Sequence, residues 1–164
     1  MARVFIGIGS NIEREQNIKS GIKVLRERFG SLTISPVYES RAVGFEGDNF
    51  LNLVTAFDTE LPLEELEKTL HEIEFMFGRD RREPRFSPRT LDLDLLLFDD
   101  LVTHEGHLQI PREDITKYAF VLKPLADIAA DSVHPVTGQT YSDLWNRFDK
   151  QGQELWRVDI NFDS

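Results

Sequence analysis

A chain of 164 residues with 40% hydrophobic content builds one substantial core but hardly two, so a single domain is expected. It has no cysteine, which excludes disulfides and thiolate metal ligands, and its four scattered histidines disfavour a zinc site, so any metal is expected on carboxylates. No apolar run approaches the ~20 residues of a membrane helix, the apolar N-terminal segment is too short for a signal peptide, and a net charge of −10 argues against nucleic acid as a partner; a cytoplasmic location is expected.

Residues 4–8 read as a buried strand, and Gly9, Ser10 and Asn11 supply turn and helix-cap chemistry. Gly7-Ile8-Gly9 is not a dinucleotide fingerprint, because position 12 is Ile; it reads as a tight strand-to-helix turn. A helix follows, with Ile18, Ile22, Leu25 and Phe29 at helical spacing and Gly30 placed to end it. Residues 32–38 and 50–57 are rich in β-branched and aromatic side chains and read as strands, separated by an irregular stretch, 39–49, expected to act as a flap. Pro62 opens a second helix whose apolar stripe is Leu63, Leu66, Leu70, Ile73 and Phe77. After an Arg- and Pro-rich loop, residues 90–98 form a strand in which Leu91, Leu93, Leu95 and Leu97 are expected on one face. A short extended piece at 108–111 and helices at 119–130 and 141–148 follow, and residues 149–164 read as a polar tail. Strand, helix, strand, strand, helix, strand is the order of a ferredoxin-like α+β fold, an antiparallel sheet with its helices on one side and extra C-terminal helices.

Two features carry chemistry. Arg79, Arg81, Arg82, Arg85 and Arg89 make a cationic island in an acidic chain, suited to a compact anion. The island runs into Arg89-Thr90-Leu91-Asp92-Leu93-Asp94. In a strand, Asp92 and Asp94 project from one face with Cα atoms about 6.5 to 7 Å apart. Such a carboxylate pair suits hard divalent cations, and the adjoining arginines suit phosphate oxygens. Acidic residues alternating with leucines are also what any half-exposed strand shows; the combination with the cationic loop is what favours a magnesium-nucleotide site. Within 50–54, Asn52 is costly to bury without partners, which points to a ligand or backbone contact. His104 and His107 have metal-compatible spacing but no further ligand set, and read as a solvated loop.

Gly7-Ile8-Gly9-Ser10-Asn11, Phe50-Leu51-Asn52, Ile73-Glu74, Gly78-Arg79, the run from Pro88 through Arg89-Thr90-Leu91-Asp92-Leu93-Asp94, and Phe120-Val121-Leu122-Lys123-Pro124-Leu125 together resemble the 6-hydroxymethyl-7,8-dihydropterin pyrophosphokinase family of folate biosynthesis. The resemblance runs from about residue 2 to residue 145 and implies one pyrophosphokinase-like domain. It further implies transfer of diphosphate from ATP to the hydroxymethyl group of the reduced pterin, with release of AMP and two Mg2+ ions held by Asp92 and Asp94. Arg79, Arg89, Asp92 and Asp94 are then the catalytic set. Glu74, Arg79, Arg81, Arg89, Leu95 and Arg112 match the ATP side, and Ser40, Val43, Phe50, Asn52 and Phe120 the pterin side. ATP and reduced pterin are the implied partners, with neither nucleic acid nor membrane, and a monomer is expected.

The chain departs from the family pattern at Arg112 and Glu113, where a His and an aromatic are frequent, and at Tyr118, where an Arg is frequent. Arg112 is read as replacing the lost positive charge. These changes leave open a catalytically impaired relative that binds pterin or nucleotide. A ferredoxin-like RNA-binding module is disfavoured by the acidic balance and by the lack of a basic-aromatic strand motif.

Overall fold

The computed structural model describes residues 1–42, 47–78 and 90–162. In chain order the elements are β1 (Ala2–Ser10), α1 (Arg14–Phe29), β2 (Thr33–Ile34), β3 (Val37–Ser40), β4 (Phe50–Thr59), α2 (Leu63–Met76), β5 (Asp92–Phe98), β6 (Thr103–Glu105), β7 (Leu108–Ile110), α3 (Asp114–Lys117), α4 (Ala119–Ala129), α5 (Tyr141–Arg147) and β8 (Leu155–Val158). The main sheet runs β5-β1-β4-β3-β8, all neighbours antiparallel, with β2 also on β4; β6 and β7 form a separate hairpin. This is the ferredoxin-like arrangement expected from the order of elements.

Alternation along the strands feeds two cores. Ile6 and Ile8 of β1, Leu53 and Phe57 of β4, and Leu93 and Leu95 of β5 face Ile18, Ile22 and Leu25 of α1 and Leu66, Leu70 and Ile73 of α2. Each fully buried aliphatic side chain contributes about 1.5 to 3 kcal/mol. The opposite face is covered too: Val54, Leu96 and Leu97 pack under Ile115, Val121, Leu122, Leu125 and Tyr141 of the C-terminal helices. The two helices of the ferredoxin-like core, α1 and α2, thus share one side as expected, and the C-terminal helices take the other. The apolar content of residues 119–130 is high enough to bury a second sheet face, which order of elements alone does not reveal.

Other expectations are corrected by local structure. Leu97 does not share a face with Leu91, Leu93 and Leu95, because β5 pairs Phe5 with Leu97 and Ile6 with Leu95, leaving Leu96 as a bulge residue that reverses the alternation. The strand expected at 32–38 is split between β2 and β3 at Pro36, which has no N–H for the ladder, while Ser35 bonds Val54 through both its backbone N–H and its Oγ (2.9 Å each). Gly9 is not a turn residue, since β1 continues to Ser10. Asn11 does not cap α1; its Nδ2 donates to the Asp48 carbonyl at 3.1 Å. His104 and His107 lie on or beside the β6–β7 hairpin, with His107 Nε2 at 2.6 Å from Glu67 Oε1. Gly30 ends α1 as the sequence suggests and donates to the Arg26 carbonyl, but with φ 82° and ψ −139° it is not the left-handed helical cap expected of it. The tail is not featureless, because residues 155–158 add strand β8 to the sheet.

Candidate active site

Strand register sets out the site row by row. Asp92 of β5 lies opposite Gly9 of β1, Gly9 opposite Asn52 of β4, and Asn52 opposite Tyr38 of β3. Two residues away on one side of this row, Asp94 lies opposite Gly7 and Gly7 opposite Val54, and two residues away on the other side Phe50 lies opposite Ser40. Cross-strand partners share a face, so Asp92, Asp94, Asn52, Phe50 and Ser40 all point to the side covered further along by α4. The two glycines leave the middle strand bare. A Cβ on Gly9 would stand 2.8 Å from Asn52 Oδ1, whereas one on Gly7 would meet only the Leu96 side chain at 3.5 Å. Glycine alternating within a strand marks close approach of another group, here the Asn52 amide.

On the acidic side, Asp92 and Asp94 are half-buried. Arg112, on the segment after β7, reaches across to them: Nη2 lies 3.7 Å from Asp94 Oδ1 and Nε 3.3 Å from Asp114 Oδ2. The Arg112 backbone N–H donates to the Leu96 carbonyl at 3.0 Å, so its position is tied to β5 itself. Burial disfavours the guanidinium charge, but Asp94, Asp114 and Asp92 outweigh it and raise its pKa above the ordinary arginine value. A permanent cation thus stands beside the carboxylate pair. Glu74 lies on the other side of the sheet, 1% exposed, and its Oε2 accepts the Leu93 N–H at 2.7 Å. Since β5 is the sheet edge, that N–H faces away from β1, and Glu74 stands where a neighbouring strand would. It holds the backbone between the two aspartates. Leu95 turns its side chain into the α1/α2 core and offers the site its backbone only.

On the other side of the glycines, Asn52 is 7% exposed and its Nδ2 donates to Ser40 Oγ at 3.1 Å. Phe120, in the first turn of α4, is half-buried and stacks on Tyr118 at 5.2 Å with 20° between the rings. The Tyr38 hydroxyl donates to Asp127 of α4, which also holds Lys123 at 2.8 Å, and so clamps β3 to the helix carrying Phe120. Burial and that carboxylate push the Tyr38 phenol well above its ordinary range, keeping it a neutral donor. The ends of the 39–49 stretch are fixed to the sheet. Arg14 Nη2 meets Glu39 Oε1 at 3.2 Å and Arg14 Nη1 the Asn49 carbonyl at 3.1 Å, while Asn49 Nδ2 donates to Glu39 Oε2 at 2.8 Å. Donation by Asn49, with Arg14 and Trp156 adding to it against burial, lowers the Glu39 pKa.

The structure thus brings together Asp92, Asp94 and Arg112 on one side and Ser40, Phe50 and Asn52 on the other, with Glu74 behind the strand and Phe120 on the covering helix. Val43, Arg79, Arg81 and Arg89 lie outside the described residues. Sequence reasoning missed Gly9 as a floor residue and the Arg14, Glu39, Asn49 network. The Gly-x-Gly alternation signals the first; nothing local signals the second, since its members meet only when β3 and α1 are in place.

The donor chemistry fits magnesium. Two carboxylates offer hard oxygen ligands on one face, and among the described residues no group of three or more His, Cys, Asp or Glu forms a closed metal cage. Magnesium characteristically takes one or two carboxylates and completes its shell with water and substrate phosphate.

Over residues 5–130 the chain matches the family model described as 7,8-dihydro-6-hydroxymethylpterin-pyrophosphokinase. It is 38% identical over 138 residues to a 2-amino-4-hydroxy-6-hydroxymethyldihydropteridine pyrophosphokinase of Aquifex aeolicus, covering 83% of this chain and 86% of that one. A protein of the same description from Pseudomonas aeruginosa is 38% identical over 134 residues, covering 79% and 82%. Among solved structures, Plasmodium falciparum HPPK-DHPS with pterin and p-hydroxybenzoate is similar with a TM-score of 0.67 at 15% identity; the likeness covers 89% of this chain and 43% of that one, and speaks to the fold alone. The chain belongs to the 7,8-dihydro-6-hydroxymethylpterin-pyrophosphokinase family.

Proposed function

We propose that this pyrophosphokinase of folate biosynthesis transfers the terminal diphosphate of ATP to the hydroxymethyl oxygen of 6-hydroxymethyl-7,8-dihydropterin, with Asp92 and Asp94 holding two Mg2+ ions. The observation that carries the assignment of roles is the shared face: across two bare glycines, a carboxylate pair shares one side of the sheet with a buried amide and the Phe50 ring beside it.

In the reaction the substrate hydroxyl oxygen forms a bond to the β-phosphorus of ATP and gives up its proton to solvent, the bond from that phosphorus to the α,β-bridging oxygen breaks, and AMP leaves. Bound magnesium supplies charge neutralisation on the transferring group. Asp92 and Asp94 hold the metal side, and Glu74 fixes the strand between them through Leu93. Arg112 balances Asp94 and Asp114 and presents a guanidinium toward phosphate oxygens. Asn52, oriented by Ser40, reads the polar edge of the pterin with one donor and one acceptor, and Phe50 and Phe120 offer ring faces to the flat bicycle. Arg79, Arg81 and Arg89 serve as further phosphate ligands and Val43 as a pterin neighbour, on the strength of their sequence match. Positioning and charge neutralisation suffice for such a transfer, so no general base is assigned. The enzyme acts as a monomeric, cytoplasmic single domain spanning 1–164, with neither nucleic acid nor membrane as partner.

The test is AMP formation from ATP in the presence of the reduced pterin, with and without magnesium. AMP release that requires both supports the assignment; release that ignores the pterin, or full activity after chelation, refutes it.

A further inference from the structure

We propose that Gln153, in the segment after α5, is a positioning residue for the pterin side of the site. The proposal rests on the reading of Phe120, Phe50 and Asn52 as the pterin pocket, and it concerns residues beyond the 5–130 match to the family model.

The segment is built onto the pocket frame at two places. Strand β8 pairs with β3, setting Leu155 opposite Ser40 and Arg157 opposite Tyr38, and Trp156 hydrogen-bonds Glu39. Ahead of the strand, the Gln153 side-chain amide bridges two backbone groups: Nε2 donates to the Lys117 carbonyl at 3.2 Å and Oε1 accepts the Ala119 N–H at 2.9 Å. Lys117 ends α3 and Ala119 begins α4, so the amide spans the junction at Tyr118. The first N–H groups of a helix have no partner within it, and Tyr118 provides no side-chain cap. Gln153 supplies that cap from 34 residues away in sequence. The turn it caps carries Phe120, whose ring stacks on Tyr118.

The cap is delivered rigidly. Lys150 Nζ donates to the Trp145 carbonyl at 2.9 Å and stands 4.5 Å over the Trp145 ring, and the Gln153 N–H donates to the Lys150 carbonyl at 3.0 Å. The amide is therefore held against the α3–α4 junction by α5. Losing it frees the first turn of α4 and the Phe120 ring. The aspartates and Arg112 sit at the opposite edge of the sheet, β5, and are untouched.

The experiment is steady-state kinetics of Gln153→Ala in the full chain, with pterin and ATP varied separately and Phe120→Ala measured alongside. Gln153→Ala is expected to raise the pterin KM about three- to tenfold, the scale of one hydrogen bond to the backbone, and to leave the ATP KM within about twofold. A raised pterin KM in Phe120→Ala with an unchanged one in Gln153→Ala overturns the positioning role, as does a matching rise in both KM values for Gln153→Ala. An unchanged pterin KM in Phe120→Ala overturns the pocket reading, and the proposal with it.

Discussion

Gly9→Ala tests the floor of the site with a single methyl group. The added carbon would stand 2.8 Å from Asn52 Oδ1, closer than real side-chain contacts allow, so one of the two must move. Gly9 lies within a regular strand and its φ is not positive, so alanine meets no backbone strain there. Asn52 is the group that gives way, and it is 7% exposed and tied to Ser40. Turning the amide costs about 0.5 to 1.5 kcal/mol of rotamer strain and about 0.5 to 1.5 kcal/mol for the weakened hydrogen bond. Together these make about 1 to 3 kcal/mol, or a loss of about five- to 150-fold in affinity for the pterin. Gly7→Ala is the matched control, because its methyl would make ordinary contact with Leu96 at 3.5 Å. Titration calorimetry with the reduced pterin reads both. Wild-type affinity in Gly9→Ala, or equal losses in the two variants, refutes the role given to Asn52.

Asp92→Asn and Asp94→Asn are each expected to reduce magnesium-dependent AMP formation by at least about a hundredfold while circular dichroism and the melting temperature stay close to wild type, because both side chains are half-buried and outside the apolar clusters. Arg112→Ala is expected to raise the ATP KM about tenfold, the scale of a hydrogen bond to a charged group, with the pterin KM unchanged; an unaltered ATP KM removes Arg112 from the nucleotide side. Glu39 has a lowered folded pKa, so its contribution to stability is present above the ordinary carboxylate pKa and is lost as pH falls through the lower folded value. Urea midpoints measured from neutral pH downward in wild type and Asn49→Ala are therefore expected to converge in acid, and a gap that persists there contradicts the assignment.

Regular elements were legible where one physical signal dominated. The apolar stripe of α2 and the alternation of Asp92 and Asp94 with leucines report helix and strand periods directly, and the structure has both. Leu97 escaped because a bulge depends on what β1 presents opposite β5, which the β5 sequence does not encode by itself. Strand β8 escaped because four residues carry little periodicity, and its pairing with β3 spans more than a hundred positions. Glu74 was legible as a site residue through the family resemblance only. Its burial against Leu93 belongs to the packing of α2 on the sheet edge, and a glutamate in an otherwise acidic helix looks solvated from sequence. Arg112 was legible as a compensating charge, but its two carboxylate neighbours come together only through the turn after β7.

The bulge in β5 reaches further than the misplaced leucine. Its extra residue, Leu96, offers the carbonyl that receives the Arg112 N–H, two positions beyond Asp94. The cation is thereby hinged at its own main chain on the strand that bears the carboxylate, and only the side-chain arm is left to swing. An insertion or deletion at the turn of the β6–β7 hairpin lengthens or shortens the path between them without moving the hinge or the buried Ile110, so the turn can vary while the charge geometry beside Asp94 stays fixed.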